Sequence, residues 1–160
     1  MYNSNSKNIM SGDLITYEGC KYNEAKRLKN DHLMYFKIAQ NVAKKSTMTQ
    51  KHGCVIVHKG KILSEATNVM PKCFNDSIHA EIHAILKAKK IVTNWKNIDL
   101  YIVRIGQKSM KYPLKFSKPC ENCKKYIEKI GVGRVFYSTN YELDMLMNDN
   151  YICKEILLGF

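Results

Sequence analysis

Two short stretches, IHAEIHA at residues 78–84 and KPCENC at residues 118–123, contain the residue types that bind metal ions in proteins. Taken alone, the pair Cys120-x-x-Cys123 also suits a redox site or a disulfide. A redox pair of the thioredoxin kind follows the first strand of a βαβ unit, whereas this pair comes late in the chain and after Pro119. Zinc needs four occupied positions, so the cysteines require partners elsewhere. A shared metal site constrains the fold, because it requires the two stretches to meet.

Two zinc arrangements fit the first stretch. In a closed arrangement, His79 and His83 lie one helical turn apart and complete a structural Cys₂His₂ site, as in a non-catalytic zinc module. In an open arrangement, His79 alone joins the cysteines, water takes the fourth position and Glu81 acts on it as general acid and base. Residues two apart in mid-helix point to different sides, but they can share a target at a helix N-terminus. Asp76 or Ser77 is a plausible N-cap there, so the open arrangement is favoured.

Hydrophobic periodicity and turn residues predict an alternation of helices and strands. The predicted elements are a helix at 25–45, a hairpin of strands 54–58 and 61–66 around Lys59-Gly60, a loop at 67–77, a helix at 78–90, a strand at 99–105, a helix at 119–131, a strand at 133–138 and a helical tail. This order predicts a mixed α/β sheet with helices on both faces. Residues 1–28 are interpreted as a polar extension, partly disordered, and residues 29–160 as one domain.

The formal net charge of +12 raises the question of a nucleic-acid partner. Of the 26 basic residues only Arg27, Arg104 and Arg134 are arginines, and the lysines are spread along the whole chain. Arginine would be the stronger mark of specific phosphate or base recognition, so the charge supports such a partner only weakly. No stretch has the length and apolarity of a membrane helix, and we expect no secretory signal and a cytoplasmic location.

The two motifs resemble a known signature. HAE followed by PCENC matches the H-x-E … P-C-x-x-C pattern of the zinc-dependent cytidine and deoxycytidylate deaminase superfamily. The likeness covers about residues 30–138: GCVIVHKGKILSEATN is similar to the first hairpin of that family, LYIVRI to its next strand, and KKYIEKIGVGRVFYS to the helix and strand that follow. The resemblance implies a three-layer α/β/α deaminase fold with a sheet of about five strands.

The resemblance also implies the chemistry of the site. His79, Cys120 and Cys123 would bind Zn²⁺, and Glu81 would take a proton from the water that zinc activates. Glu81 would then pass protons to the ring nitrogen and to the leaving ammonia. The expected reaction is hydrolytic deamination of a cytosine nucleoside or nucleotide, such as deoxycytidylate. The alternative within the superfamily is an adenosine or cytidine deaminase that acts on tRNA or another nucleic acid.

Substrate contacts follow less directly. The family often has an asparagine near the sugar where Asn68 stands, although Asn68 also suits a loop-capping role. The backbone N–H of Ala80 would meet the carbonyl side of the base. The segment 106–116 departs from the family pattern, in which the strand runs almost directly into the Pro-Cys pair. It suits a hairpin along the pocket rim or a solvated basic loop, and its candidate phosphate contacts are Lys108, Lys111, Lys115 and Lys118. Family members commonly form homo-oligomers, so the resemblance also implies a homo-oligomer as a candidate assembly for this chain.

Overall fold

A computed structural model of the chain describes residues 22–112, 114–138 and 153–156, with the backbone alone at 22–30 and 153–156. The helices are α1 (Tyr22–Lys44), α2 (Ala80–Ala88) and α3 (Glu121–Ile130), and the strands are β1 (Lys51–His58), β2 (Lys61–Thr67), β3 (Ile98–Ile105), β4 (Leu114–Lys115), β5 (Arg134–Ser138) and β6 (Cys153–Ile156). Among these residues no helix is both long enough and apolar enough to cross a bilayer.

The described strands form one mixed sheet in the order β2-β1-β3-β5-β6, and the short β4 pairs with the end of β3. Strands β3 and β5 run parallel, as expected when a helix connects them, and the other pairs are antiparallel. Helix α3 makes the crossover between them. The predicted mixed sheet of about five strands, with helices on both faces, is confirmed.

Strand β3 is buried on both faces, which is why its sequence is almost continuously apolar. Leu100 and Ile102 belong to the core under α2 and α3, whereas Tyr101 and Val103 belong to the core under α1. Side chains alternate along a strand, so each helical layer packs on its own half of the same residues. The result is the three-layer α/β/α arrangement, whose site-bearing layer is the one formed by α2 and α3.

The hairpin of β1 and β2 turns at Lys59-Gly60, as the sequence predicts. Lys59 has φ 48° and Gly60 has φ 78°, the two left-handed positions of a type I′ turn. The hydroxyl of Tyr35 on α1 donates a hydrogen bond to the Gly60 carbonyl at 3.0 Å. The turn is therefore fixed both by its own backbone preference and by the layer packed against it.

Two predictions about element ends are wrong. Helix α2 begins at Ala80 with His79 as its N-cap, not with Asp76 or Ser77, and no side chain caps it. Residues 153–156 of the predicted helical tail form strand β6, which pairs antiparallel with β5. The rest of that tail, and residues 1–21 of the predicted extension, lie outside the described residues. Helix α1 already begins at Tyr22, within the stretch interpreted as the extension, and the proposed division into 1–28 and 29–160 stays a prediction.

Candidate active site

The candidate site lies where the first turns of α2 and α3 meet. His79 is the N-cap of α2 and Cys120 is the N-cap of α3, and both have extended backbone. Cys123 lies in the first turn of α3 and its backbone N–H donates to the Cys120 sulfur at 3.5 Å. The positive ends of two helix dipoles therefore point at the same place, which favours thiolates there.

The three side chains form a donor set that fits zinc. His79 Nδ1 lies 3.6 Å from Cys120 Sγ and 3.2 Å from Cys123 Sγ. The ligand atoms of all three residues fall within 4.8 Å of one another. Around a tetrahedral zinc, with bonds of about 2.0–2.3 Å, neighbouring ligand atoms lie roughly 3.5–3.8 Å apart. One imidazole and two sulfurs at these separations match a zinc site that keeps its fourth position for another ligand.

Glu81 lies beside the donor set and is only 4% exposed. Burial, together with the nearby Glu81 carboxylate, raises the pKa of the Cys123 thiol. Burial and the same carboxylate also raise the pKa of the Cys54 thiol. A buried carboxylate next to sulfur ligands is unfavourable by itself and favourable around a divalent cation. The buried carboxylate and the sulfur ligands therefore favour a divalent cation at the place where the three ligand atoms converge.

His83 serves a different purpose. Its Nδ1 donates to the backbone carbonyl of Thr67 at 2.8 Å, which ties α2 to the end of β2. Within the described part of the chain, the group able to hold a metal consists of His79, Cys120 and Cys123. The structure thus brings together the donors of the open arrangement and leaves the extra histidine of the closed arrangement in a structural contact.

A two-residue bridge places Asn68 beside His79. Val69 and Ile78 exchange backbone hydrogen bonds of 3.0 and 2.8 Å, so the loop between them is closed at its base. Asn68 and His79 flank this bridge and both line the same cleft. The loop neck, defined here as Val69 and Ile78, therefore sets the distance between the two side chains.

The carboxamide of Asn68 is largely occupied by the protein. Its Oδ1 accepts from the Ser46 hydroxyl at 2.7 Å and from the His52 N–H at 3.0 Å, and its Nδ2 donates to the Gln50 carbonyl at 2.6 Å. These bonds hold the segment before β1, which forms one wall of the cleft. The loop-organising role anticipated for Asn68 is present, and one of its two amide hydrogens is left for another acceptor.

The cleft has a volume of about 450 Å³. Several of its lining residues were not expected from the sequence, namely Met48, Thr49, Gln50, His52, Arg104 and Phe116. His52 and Arg104 are directly paired across β1 and β3, and they lie on the same face of the sheet as the pair of Cys54 and Ile102, two residues away. Burial lowers the pKa of His52, as do the charges of Arg104 and His79 despite an opposing backbone hydrogen bond. The alternation of side chains along β1 and β3 could have predicted the positions of His52 and Arg104, because it puts both on the face covered by α2 and α3.

The segment 106–116 folds back on β3 as a short hairpin. It makes a 3₁₀ turn at Lys108–Met110 and then pairs β4 with the last two residues of β3. The Ser117 hydroxyl, just beyond it, donates to the Ile102 carbonyl at 2.8 Å and fixes the approach to Cys120. Of the four lysines considered as phosphate contacts, Lys118 lines the cleft, whereas Lys108, Lys111 and Lys115 are not among its lining residues.

The family model for the cytidine and deoxycytidylate deaminase zinc-binding region matches residues 29–139 of this sequence. The chain therefore belongs to this family. Membership supports a hydrolytic enzyme and zinc-dependent deamination of cytosine compounds in general, and the family's zinc-binding region together with the His/Cys/Cys group fits Zn²⁺.

Solved structures agree on the fold. The apo dCMP deaminase of cyanophage S-TIM5 is 22% identical over 78% of this chain and 95% of its own, with a TM-score of 0.55. The cytidine deaminase of Burkholderia pseudomallei is 15% identical over 79% of this chain and 91% of its own, with a TM-score of 0.57. At these identities the likeness shows a shared fold. No curated protein matches the chain.

Proposed function

We propose that this chain deaminates a cytosine nucleoside or nucleotide, with deoxycytidylate as the leading candidate. The observation that carries the proposal is the buried Glu81 carboxylate beside the His79, Cys120 and Cys123 donors, at a cleft of about 450 Å³. A cleft of this size lies in the range of small-molecule sites. The phage dCMP deaminase of the same fold has been solved in complex with dCMP and dUMP, which supports the choice of substrate.

In this mechanism the residues of the chain bind zinc, orient the base and transfer protons. His79, Cys120 and Cys123 would hold zinc, which when bound supplies the Lewis acidity that makes water a nucleophile near neutral pH. Glu81 takes the proton of the attacking water and delivers it to ring nitrogen N3. A C–O bond forms at C4 and the C4–N4 bond breaks. Glu81 takes the second proton from the hydroxyl now on C4 and gives it to the amino group, which leaves as ammonia while the C4 carbonyl forms.

Two groups at the ends of elements are proposed to orient the base. The backbone N–H of Ala80, the first residue of α2, has no partner within its helix and would donate to the base carbonyl. The remaining amide hydrogen of Asn68 would meet a sugar hydroxyl, while its other bonds keep the cleft wall in position. Both contacts are proposals about substrate and not about the fold.

The test is a substrate panel. Zinc-loaded protein is incubated with deoxycytidylate, cytidylate, deoxycytidine, cytidine and the matching adenine compounds, and ammonia release is followed together with the ultraviolet change on deamination. We expect turnover of a cytosine compound and none of the adenine compounds. Chelator-treated protein serves as the control. Release of ammonia from the adenine compounds alone would overturn the proposal.

A nucleic-acid substrate is the second candidate, favoured by the net charge of +12. Phosphate contacts release counterions, so turnover of an oligonucleotide should fall steeply with salt, whereas turnover of a mononucleotide should fall gently. Comparing both substrates between low and physiological salt separates the two candidates. Homo-oligomerisation and a cytoplasmic location stay predictions.

A further inference from the structure

Among the residues that the structure describes, Arg104 is a charged side chain of the cleft without an ion-pair partner. By comparison, Arg134 forms a bidentate ion pair with Asp99, with N···O distances of 2.8 and 2.7 Å. Arg104 is also partly buried, yet among the residues that the structure describes no carboxylate or other acceptor is bonded to its guanidinium. A guanidinium that is partly removed from water without an acceptor is unfavourable. Arg104 is therefore suited to an anion that comes from outside the chain.

The surroundings of Arg104 specify the sign of that ligand. Arg104 and Lys118 both line the cleft, where Glu81 is the one acidic residue among the lining residues of the described chain. Glu81 belongs to the metal group, where a divalent cation would offset its charge. The remaining charge of the cleft is then positive, and it comes from one guanidinium and one ammonium. Guanidinium groups bind phosphate oxygens in pairs, and ammonium groups add a mobile point charge.

Backbone register places Arg104 at the wall of the cleft. Its cross-strand partner His52 also lines the cleft, and the pair two residues further along on the same face, Cys54 and Ile102, lies in the core below α2. Arg104 therefore belongs to the same row of β3 side chains as Ile102, the row that faces the site-bearing layer of α2 and α3. Lys118 approaches from the segment that leads into α3. The two cations therefore come from different elements onto one cavity.

We propose that Arg104 and Lys118 form a phosphate subsite that selects a 5′-phosphorylated cytosine mononucleotide over the nucleoside. The inference rests on the proposed deaminase function and adds its substrate class. A phosphate monoester carries between one and two negative charges near neutral pH and offers three acceptor oxygens, which suits the two cations. A cleft of about 450 Å³ suits one nucleotide with its phosphate.

The test compares two substrates in four proteins. We measure kcat/KM for deoxycytidylate and for deoxycytidine in the wild type, Arg104→Gln, Lys118→Gln and Lys37→Gln, whose target is an exposed lysine on α1. Arg104→Gln should lower kcat/KM for deoxycytidylate about 10- to 100-fold, as expected for charge-assisted hydrogen bonds, and change deoxycytidine less than about threefold. Lys118→Gln should act in the same direction but less, and Lys37→Gln should leave the ratio of the two substrates unchanged. An equal loss on both substrates would mean that Arg104 has a structural role, and would overturn the proposal.

A binding measurement separates this inference from the proposed reaction. Calorimetry with zinc-loaded protein compares deoxyuridylate with deoxyuridine, which differ only in the phosphate. Tighter binding of deoxyuridylate that is lost in Arg104→Gln supports the subsite even if no substrate is turned over, in which case the proposed function fails and the subsite stands. Equal binding of both compounds overturns the subsite, whatever the turnover. A short single-stranded oligonucleotide that is deaminated faster than deoxycytidylate would overturn the mononucleotide assignment.

Discussion

His79 and Glu81 are two residues apart and nevertheless lie at one site because a helix begins between them. His79 keeps extended backbone as the N-cap, whereas Glu81 already belongs to the first turn of α2. At a helix end the usual opposition of residues i and i+2 does not apply, since the first of them has left the helical path. The proposed roles, metal binding by His79 and proton transfer by Glu81, which is 4% exposed, are therefore compatible with their spacing in the sequence.

Replacing Glu81 and His83 in separate variants should show which of the two residues is needed for turnover and whether either binds zinc. Glu81→Ala should retain about one zinc per chain and its fold while losing turnover by roughly 10²- to 10⁴-fold, the usual contribution of general acid–base catalysis. His83→Ala should also retain zinc, and should lose about 1–3 kcal/mol of stability because the Thr67 carbonyl loses its partner. Zinc content by atomic absorption and activity are measured on both. Zinc loss in His83→Ala would show that His83 is a ligand and would support the closed arrangement.

Helix α1 rests on the sheet through a buried histidine. His32 is 2% exposed, and its Nδ1 lies 2.5 Å from the Tyr101 hydroxyl of β3. Burial, with the charge of Arg134 acting in the same direction, lowers the pKa of His32 to about 3. The native state therefore holds this imidazole neutral, while in the unfolded chain it titrates near its ordinary value of about 6.5.

The stability of the protein should consequently fall as the pH falls below about 6.5. Between that value and the native pKa the unfolded chain binds one more proton than the native chain, so acid favours unfolding. From pH 7 to pH 5 the loss from His32 is about 2 kcal/mol. Urea unfolding at both values is compared with His32→Gln, which should lose about that much less over the same interval. Equal losses in the two proteins would show that His32 is protonated in the folded chain.

Helix α1 approaches β1 so closely that only glycine fits at position 53. A Cβ on Gly53 would lie 2.4 Å from the Ala39 carbonyl oxygen and 2.6 Å from the Ala43 nitrogen, both backbone atoms of α1. Backbone cannot swing aside as a side-chain end can, so the helix would have to retreat from the sheet. Gly53 stands next to His52 in the wall of the cleft, and the packing of this layer therefore reaches the site.

Gly53→Ala should cost about 1–3 kcal/mol, the range for overpacking of a tight core. Gly60→Ala is the matched control: it adds the same methyl group in the hairpin turn, where the nearest atom is the Tyr35 hydroxyl at 3.8 Å and only the positive φ opposes it. Left-handed backbone costs a side chain about 1–2 kcal/mol. Thermal unfolding is measured for both variants, and cleft binding of deoxyuridylate is expected to weaken in Gly53→Ala alone. Unchanged binding in both would mean that α1 can move without affecting the site.

The sequence predicted elements well where the signal was local. The type I′ turn at Lys59-Gly60 and the apolar run of β3 each follow from neighbouring residues. The start of α2 was misplaced because Asp76 and Ser77 are favoured caps, whereas pairing of Ile78 with the distant Val69 holds that segment extended. Strand β6 was missed for a similar reason, since its strand character depends on its pairing with β5. The position of Arg104 could have been read from strand alternation.

At the scale of the whole molecule, the sheet separates two cores with different dependence on metal. Among the described residues, the core under α1 contains Phe36, Val55, Tyr101 and Phe136 and none of the three residues of the metal group. The donors His79, Cys120 and Cys123 all come from the starts of α2 and α3 on the opposite face. Metal binding is therefore coupled to the folding of one layer more than to that of the other.

Removal of zinc should lower the thermal stability of the protein unevenly. Chelation, or Cys120→Ser, should reduce the melting temperature and the hydrogen-exchange protection of α2 and α3 amides, while amides of β1 and β3 keep most of theirs. The matched control is Cys73→Ser, which changes an exposed cysteine outside the donor set. Hydrogen exchange with and without chelator measures the effect. Folded, fully active protein without any metal would contradict both this expectation and the deaminase assignment.

The loop neck of Val69 and Ile78 also affects how such a protein can diverge. Beyond the neck the chain runs through Met70 and Phe74, whose side chains are 51% and 69% exposed. Because the neck fixes the separation of Asn68 and His79, residues could be added or removed within 71–77 without shifting these two residues of the candidate site. This loop is thus a natural place for an engineer to graft a recognition segment, or for related genes to acquire new specificities, while the reaction itself is preserved.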